Sequence, residues 1–389
     1  MKMKVALFRG PDLEPKFTLG DEPIPTPKRD EVVFKVMSSA LCGTDLHIID
    51  GSLLRSAKGK WLAYRDLPIV IGHEAAGIIE SVGDNVKTLK EGDRICTAPN
   101  YSCGTCFYCR RNLFNLCNNR GVFGLHAPGF HAEYGVADAR AVYLLPNNID
   151  FDVGALIGDT LGTAYHAVRR VQIQPGDIVA IWGLGPIGIT TAQMANVAGA
   201  AKVIAFDVIP ERIEMAKKVG INLCFNSNEI VKNALERNGY TKNDLQKGDK
   251  QAMKIANNAV PKKIKEIIPE GVDISIEATG LDFILSQAFS ATRKGGKILV
   301  VGIHSKPFSL PTLALSYREI SLIGTFSHVA EESEAMVNLL EVGKIHLRPL
   351  ISHYFPLDDV NTAYQLFMER KTNKVILIPD VEYQKQKIK

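Results

Sequence analysis

The chain has 389 residues, of which 46% are hydrophobic and 23% charged, and its formal net charge is +4. This length exceeds a typical single core and predicts two domains of a globular protein. So small a charge excess does not favour a nucleic-acid or membrane partner, and no apolar run has the length of a signal peptide or membrane span. We therefore expect a cytoplasmic protein with neither kind of partner.

The opening of the chain predicts short antiparallel strands, because apolar and polar positions alternate over about 40 residues and prolines interrupt them. The stretch Cys42-Gly43-Thr44-Asp45-Leu46-His47 follows, and Gly72-His73-Glu74 comes after a short apolar run. One Cys and one His are ligand types that catalytic zinc prefers, and a third protein ligand would leave the fourth position open to water or substrate.

Four cysteines at C-x2-C-x2-C-x7-C spacing lie inside a segment of about 96–120. They are Cys103, Cys106, Cys109 and Cys117. Four thiolates this close can surround one zinc ion and close its coordination, which predicts a structural zinc lobe. The adjacent Arg110 and Arg111 could instead belong to a nucleic-acid-binding finger, but no recognition helix with base-reading residues follows. Cys96 and Cys224 lie in apolar patterns and are predicted to be core residues.

A dinucleotide-binding turn is predicted in the middle of the chain. The apolar run Ile178 to Trp182 leads into Gly183-Leu184-Gly185-Pro186-Ile187-Gly188, and a second buried strand ends in Asp207. The first glycine permits the tight turn, the second lets a pyrophosphate approach, and the third lets the helix pack on the strand. A carboxylate at this distance accepts ribose hydroxyls and repels a 2′-phosphate, so NAD(H) is favoured over NADP(H).

Further along, a lysine-rich stretch over 240–265 predicts a solvated surface insertion. Apolar runs over 272–280, 296–302 and 320–325 end in glycine or small residues and predict further parallel strands beneath the dinucleotide. The segment 331–379 predicts helix, strand, helix and strand, and the lysine-rich end from Gln384 is expected to fray.

The motifs CGTDLH and GHEAAG, the four cysteines and the glycine turn resemble, in order and spacing, the zinc-dependent medium-chain alcohol and polyol dehydrogenases. The resemblance covers Val5 to about Pro379. It implies an α/β fold with two parts: a mainly-β GroES-like catalytic domain over 1–158 and 327–389, and a Rossmann domain with a doubly wound parallel sheet over 159–326.

By the same resemblance, Cys42, His73 and Asp159 hold the catalytic zinc, Glu74 lies beside that metal, and the four-cysteine lobe holds a structural zinc. The alternative for Asp159 is a helix cap. The cofactor-binding residues are expected to be Gly183, Gly185, Pro186, Ile187, Gly188, Asp207, Arg212, Gly302 and Ile303.

The implied reaction is hydride transfer between an alcohol carbon and NAD, with zinc acting as a Lewis acid on the hydroxyl. Thr44 and His47 would relay the proton; otherwise Thr44 caps a helix and His47 is a surface residue. Arg318 falls where polyol dehydrogenases place an arginine on substrate hydroxyls, whereas Ile48 stands where sorbitol enzymes usually carry tyrosine.

We therefore predict a secondary-alcohol or polyol dehydrogenase. The alternatives are an enzyme like L-threonine 3-dehydrogenase, a dehydrogenase of modified sugars and, more remotely, a non-catalytic or zinc-free relative, which would predict erosion of the ligand set. Two zinc ions per chain and NAD(H) are expected. The resemblance also suggests a homodimer or homotetramer built partly by continuing the cofactor-domain sheet into a second subunit.

Overall fold

The computed structural model describes residues 1–51, 67–304, 307–370 and 372–388. The chain divides into two compact units, one formed by Met1–Thr163 with Ser327–Lys389 and the other by Ala164–Phe326. Among the described residues, no helix has both the length and the apolar character needed to cross a membrane.

The first segment of unit 1 is mainly β. Its strands are β1 Lys2–Phe8, β2 Phe17–Pro23, β3 Glu31–Ala40, β4 Ile69–Val70, β5 Glu74–Val82, β6 Arg94–Thr97, β7 Asn100–Tyr101, β8 Gly121–Val122, β9 Tyr134–Asp138 and β10 Val142–Leu144. Its helices are α1 Gly43–Ile49, α2 Phe151–Gly154, a π-helix over Ile157–Leu161, and α3 Gly162–Val171, which leads into unit 2.

Unit 2 alternates strands and helices. In chain order they are β11 Ile178–Trp182, α4 Pro186–Val197, β12 Lys202–Asp207, α5 Pro210–Lys218, β13 Leu223–Asn226, α6 Ser227–Arg237, α7 Lys242–Gln246, α8 Lys250–Ile267, β14 Val272–Glu277, α9 Asp282–Ala291, β15 Thr292–Val300, α10 Thr312–Tyr317 and β16 Ser321–Gly324. All the strand pairs are parallel, in the order β13-β12-β11-β14-β15-β16. This is the doubly wound order of a dinucleotide-binding fold, and it confirms the predicted α/β class.

The chain then returns to unit 1 with α11 Ser333–Glu341, β17 Ile351–Pro356, α12 Val360–Met368, β18 Lys374–Ile378 and α13 Val381–Lys387. β18 pairs with β3 and so joins the return segment to the main sheet, whose order in the described residues is β10-β6-β5-β3-β18-β17, with β9 also on β3. A smaller sheet, β2-β1-β4, packs its apolar side chains with α1, α12 and β18 in one buried cluster.

The lysine-rich stretch 240–265 differs from the predicted solvated insertion. It forms α7 and most of α8, and α8 buries one face along its length. Val260 and Ile264 belong to the same core cluster as Trp182 and Phe206 of the central strands. The lysines occupy the other face. The stretch therefore contains an amphipathic helix whose apolar side completes the core, which its lysine-rich composition did not indicate.

The end of the chain also differs from the expected fraying. α13 is helical through Lys387, and its Tyr383 is buried against Phe151. The Lys387 ammonium lies 3.0 Å from Asp150 and 3.2 Å from Asp152. Local composition predicts fraying only when no tertiary contact holds the segment, and here ring packing and ion pairs hold it.

Candidate metal centres and dinucleotide site

The structure brings Cys42, His73 and Asp159 together from three elements. Cys42 lies at the N-cap of α1, His73 directly precedes β5, and Asp159 lies in the π-helix. The Cys42 Sγ is 3.2 Å from Asp159 Oδ2, and His73 Nε2 is 3.7 Å from the same oxygen. Single-turn π-helices often occur at functional sites because the extra residue displaces a side chain from the regular helical face.

This donor set fits zinc. Zinc–ligand distances of about 2.0–2.3 Å in a tetrahedron place neighbouring ligand atoms about 3.3–3.8 Å apart, close to the spacing found here. The ligand atoms of Cys42, His73, Glu74 and Asp159 all lie within 4.8 Å of one another. Sulfur, nitrogen and carboxylate oxygen are the donors that catalytic zinc takes.

The pKa values of these groups show how strongly they interact. Burial, followed by the Asp159 charge, raises the pKa of the Cys42 thiol to about 11. Burial acts to lower the pKa of His73, but Asp45 and Cys42 outweigh it and hold the value well above the usual 6.5. Burial acts to raise the pKa of Asp159, but hydrogen bonding and charge from His73 hold it well below its usual range. A cation at this place would compensate the negative donors.

Glu74 lies beside this cluster but is held by a lysine. Both of its carboxylate oxygens accept from the Lys374 ammonium, at 2.5 and 2.7 Å, and Thr160 donates to one of them at 3.3 Å. Glu74 and Lys374 are both buried. Burial acts to raise the pKa of Glu74, and the Lys374 ammonium acts to lower it and keeps the carboxylate paired. No motif in the sequence pairs Lys374 with this site.

Three buried polar side chains lie behind His73. Asp45 Oδ1 is 3.2 Å from His73 Nδ1, and Asp45 Oδ2 accepts from the Cys42 backbone N–H at 2.9 Å. His131, for which the sequence indicated no role, bonds Tyr364 at 2.8 Å. Burial lowers the pKa of His131 to about 4, so its ring is neutral.

The predicted relay residues are both on α1. The Thr44 hydroxyl is 3.7 Å from Cys42 Sγ, a distance that allows a hydrogen bond to sulfur. Thr44 is half-buried. His47 lies one turn further along the helix and is also half-buried. The geometry puts Thr44 at the metal cluster and leaves the relay through His47 a prediction.

The four lobe cysteines converge within unit 1 as the spacing predicts. The sulfur–sulfur distances are 3.5 Å for Cys103–Cys117, 3.6 Å for Cys106–Cys109, 3.8 Å for Cys106–Cys117 and 4.0 Å for Cys103–Cys109. A zinc ion at about 2.3 Å from each sulfur requires edges of about 3.8 Å. Backbone N–H groups of Thr105 and Cys106 lower the pKa of Cys103 to about 5.

The glycine turn of unit 2 matches its predicted geometry. Gly183 has φ +95°, which a side chain would strain, and a Cβ on Gly188 would lie 1.8 Å from the Gly183 carbonyl oxygen. A Cβ on Gly185 would meet nothing within 4 Å, so space remains above the N-terminus of α4. Open space at the second glycine, at the N-terminus of a helix, fits a pyrophosphate. Pro186 and Ile187 form the first helical positions.

Asp207 ends β12 beside this turn. Its Oδ2 accepts from the Leu184 backbone N–H at 2.6 Å, and its Oδ1 accepts from those of Val208 and Ile209 at 2.7 and 2.9 Å. Arg212 Nη1 is 3.9 Å from Asp207 Oδ2. The carboxylate therefore both fixes the turn and sets a negative charge at the end of the second strand.

The strand ends β14 and β15 meet next to the turn. The Gly302 N–H donates to the Glu277 carbonyl at 3.1 Å, and Ile303 is about half exposed. His304, which the sequence did not single out, places its ring nitrogens 2.9 Å from Glu277 and 3.0 Å from Asp282. These bonds tie the two loops together at the carboxyl edge of the sheet.

Arg318 has a different environment from the predicted substrate contact. Its Nη1 donates to the Phe289 carbonyl at 3.0 Å, and its Nη2 donates to the Thr292 carbonyl. These are the free carbonyl groups at the C-terminal end of α9, where a cation is favoured. Within unit 2 the guanidinium therefore stabilises a helix end.

Sequence reasoning missed Lys374, Tyr364 and His131. A lysine that opens an otherwise apolar strand, as Lys374 opens β18, is the one local signal that could have indicated a buried charge pair. Tyr364 and His131 lie in ordinary amphipathic and loop patterns and acquire their partners only through tertiary folding.

Two family models match the chain. Residues 28–147 match the alcohol dehydrogenase GroES-like domain, and residues 186–341 match the zinc-binding dehydrogenase model. The matches fall in unit 1 and mostly in unit 2 respectively. They confirm the predicted fold class, including the GroES-like part.

Relatives match over nearly the whole length. The chain is 31% identical to an L-threonine 3-dehydrogenase of Coxiella burnetii over 93% of this chain and 96% of that protein, and 30% identical to a sorbitol dehydrogenase of Bacillus subtilis over 92% and 93%. A solved structure of a putative zinc-binding dehydrogenase from Sinorhizobium meliloti bound to NADP has a TM-score of 0.81 and 26% identity, covering 97% of this chain and all of that one. The chain belongs to the zinc-dependent medium-chain alcohol and polyol dehydrogenase family and is an oxidoreductase that uses zinc and a nicotinamide cofactor.

Proposed function

We propose that the protein interconverts a secondary alcohol or polyol and its ketone or aldehyde, with NAD(H) as cofactor and two zinc ions per chain. The observation that carries this proposal is the convergence of Cys42, His73 and Asp159 at zinc-ligand spacing in unit 1. The retained four-cysteine lobe supports a second, structural zinc.

Each residue of the site would have a separate role in the reaction. When bound, zinc supplies a Lewis acid that lowers the pKa of the substrate hydroxyl, and NAD supplies the hydride acceptor. Cys42, His73 and Asp159 hold the metal, and Thr163 orients Asp159 by donating to its Oδ1 at 3.1 Å. The Thr44 hydroxyl would accept the substrate proton while it passes its own proton on toward His47, which exchanges it with solvent.

The cofactor preference rests on Asp207. Gly183, Gly185 and Gly188 leave room for the pyrophosphate, and the Asp207 carboxylate accepts the ribose hydroxyls. A 2′-phosphate next to this carboxylate would suffer charge repulsion, so NAD(H) is preferred even though the structural relative from Sinorhizobium meliloti binds NADP. Gly302 and Ile303 would line the nicotinamide side.

A second candidate function is oxidation of L-threonine at its 3-hydroxyl. The relative from Coxiella burnetii, matched over nearly all of this chain, is named for that reaction. Both candidates need the same metal and cofactor residues, so only the substrate decides between them. A modified sugar is the next substrate to examine if neither class turns over.

The test measures NADH formation at 340 nm with metal-replete protein, a panel of polyols, secondary alcohols and threonine, and a parallel series with NADP. Asp159→Ala should abolish turnover, whereas Asp12→Ala, which removes an exposed carboxylate, should leave it unchanged. Metal analysis should find about two zinc ions per chain in the wild type. Full activity of Asp159→Ala would overturn the assigned ligand set.

We also propose that the protein is a homodimer or homotetramer, assembled partly through β16. This strand lies at the end of the sheet order, and Leu322 on it is 42% exposed. Leu313 and Tyr317 on α10 are also exposed. Within the described part of the chain no strand pairs with the outer edge of β16, and such an edge next to apolar side chains favours pairing with a second copy. Leu322→Asp should lower the molar mass measured by light scattering, and an unchanged mass would contradict this interface.

A further inference from the structure

A chain of hydrogen bonds runs through the core of unit 1 behind the metal cluster. Ser39 Oγ lies 2.8 Å from His131 Nδ1, and His131 Nε2 lies 2.8 Å from the Tyr364 hydroxyl. Burial, and then the nearby Asp45 carboxylate, raise the pKa of the Tyr364 hydroxyl, so this hydroxyl lies close to Asp45. Asp45 in turn faces His73 Nδ1 at 3.2 Å. We call Ser39, His131 and Tyr364 the buried relay.

The three relay residues and Asp45 come from separate parts of the fold. Ser39 is on β3, His131 precedes β9, Tyr364 is on α12, and Asp45 is on α1. Each is between 0% and 1% exposed. Burying so many polar groups is costly unless each one is hydrogen-bonded, and a set of apolar side chains would pack here at lower cost. The bonds therefore call for an explanation beyond packing.

The chemistry fixes the direction of every bond. A carboxylate can only accept, so the Tyr364 hydroxyl directs its proton toward the nearby Asp45. The Tyr364 oxygen then accepts from His131 Nε2–H. Because the buried ring is neutral, its Nδ1 is unprotonated and accepts from the Ser39 hydroxyl. All donors thus point toward Asp45, and one tautomer of His131 is selected.

The relay also contacts the backbone that carries the metal ligand. A Cβ on Gly72 would lie 2.5 Å from His131 Cε1, so the imidazole lies directly against the residue before His73. The backbone N–H of His131 donates to the Ile71 carbonyl at 3.1 Å, and the backbone N–H of Phe130 donates to the Gly72 carbonyl at 3.0 Å. The imidazole therefore contacts the backbone next to His73 directly and reaches the Asp45 side of that ligand only through Tyr364.

We propose that His131 and Tyr364 are positioning residues of the catalytic metal centre. Tyr364 lies close to the Asp45 carboxylate, which accepts from the Cys42 N–H and lies 3.2 Å from His73 Nδ1, and the His131 ring lies against Gly72. Both contacts keep His73 Nε2 turned toward Asp159. Hydrogen-bond partners behind a metal ligand commonly change metal affinity by about 10–100-fold. This inference rests on the proposed function, because it requires that Cys42, His73 and Asp159 bind a metal.

The test uses variants that separate bonding from packing. Tyr364→Phe removes one oxygen and keeps the ring, which stacks on Phe17 at a centroid distance of 4.7 Å. His131→Leu breaks the relay, whereas the amide N–H of His131→Gln can still donate to Tyr364. Phe17→Leu is the matched control, because it loosens the packing under Tyr364 without removing a hydrogen bond.

The readout is the rate at which a chromogenic chelator removes zinc from the purified full chain, together with the visible spectrum of the Co²⁺-substituted protein. Each zinc site contributes one kinetic phase of zinc release, and the phase that His73→Ala abolishes belongs to the catalytic centre. We expect Tyr364→Phe and His131→Leu to release this zinc about tenfold faster and to shift the Co²⁺ bands. His131→Gln should stay close to wild type, and Phe17→Leu should lower only the thermal stability.

Two results would overturn the inference while leaving the proposed function intact. One is a wild-type release rate and Co²⁺ spectrum in both Tyr364→Phe and His131→Leu. The other is an equal acceleration in Phe17→Leu, which would assign the effect to packing. A wild-type protein that releases only the zinc of the four-cysteine lobe would instead refute the proposed catalytic centre, and this inference with it.

Discussion

The two candidate metal centres of unit 1 are built in opposite ways. The four lobe cysteines lie within fifteen residues and need little more than their own loop to converge. Cys42, His73 and Asp159 come from distant parts of the chain, and they converge only after the main sheet and the π-helix have formed. The lobe is therefore a local structure, and the catalytic cluster is a product of the whole fold.

The groups that support the two metal centres also differ in being local for the lobe and distant along the chain for the catalytic cluster. The lobe thiols are supported mainly by backbone N–H groups and by one another. The catalytic cluster is supported by Asp45, Thr163 and the ion pair of Glu74 with Lys374. A structural site needs a closed shell, whereas a catalytic site must keep an open position and so needs external groups to hold its ligands.

Removing one ligand from each centre should have the largest and most contrasting effects. His73→Ala should lower kcat/KM by about 10³-fold or more, since Lewis-acid stabilisation is worth several kcal/mol. Cys106→Ser should instead lower the melting temperature by about 10 °C, because the lobe loses its metal cross-link. Activity assays, metal analysis and thermal unfolding check both variants. The contrast fails if Cys106→Ser lowers kcat as much as His73→Ala does while the fold remains intact.

Breaking the ion pair beside the catalytic cluster should have the next largest effect. Lys374→Met leaves the fully buried Glu74 carboxylate without its partner and should destabilise unit 1 by about 3–5 kcal/mol. Denaturant unfolding monitors this change. The double variant Glu74→Gln with Lys374→Met should recover most of the loss, because no buried charge remains. Equal instability of the single and double variants would refute this account.

The same pair decides how Glu74 relates to the metal. In the structure the carboxylate is occupied by Lys374, so Glu74 is at the cluster but is already bonded. Lys374→Met would release it toward Cys42, His73 and Asp159. A change in the Co²⁺ spectrum of this variant, absent from the double variant, would support metal ligation by Glu74.

Breaking the ion pairs that hold the segment before Asp159 should lower the stability by a smaller amount. Asp152 accepts from Arg348 at 2.8 Å and from Tyr354 at 2.8 Å. Burial acts to raise the pKa of Asp152, but these bonds outweigh it and lower the pKa below 3.8. The stabilisation is therefore present above about pH 4 and is lost as the pH falls through the lowered folded-state pKa.

Asp152→Asn should accordingly destabilise the protein by about 1–2 kcal/mol at pH 7, at the lower end because Arg348 is half exposed. The difference from wild type should shrink as the pH is lowered below about 4. Glu382→Gln, which removes an exposed ion pair on α13, is the matched control and should change stability little. A deficit of Asp152→Asn that persists unchanged at low pH would contradict the assignment to ionised Asp152.

The same contrast explains which features the sequence could predict. The four-cysteine spacing and the glycine turn are local, so the thiol cluster and the doubly wound sheet were predictable. Lys374, Tyr364 and His131 depend on partners that are distant along the chain. The position of Lys374 in an apolar strand signals a buried charge, but no local pattern identifies any of these partners. Composition also misled where an element is amphipathic, as in α8, because its lysines conceal a buried face.

The smallest expected effect concerns Arg318, where a resemblance to substrate-binding arginines and the observed contacts disagree. Its guanidinium donates to the carbonyls of Phe289 and Thr292 and lies over the Phe289 ring, with the guanidinium carbon 5.0 Å from the centroid. Arg318→Ala should therefore lower stability by about 1 kcal/mol and leave KM for the alcohol unchanged. Arg318→Lys should recover part of the stability, since a cation remains at the helix end. A large rise in KM at unchanged stability would instead restore Arg318 to the substrate site, and steady-state kinetics beside thermal unfolding of the same preparations distinguishes the two roles.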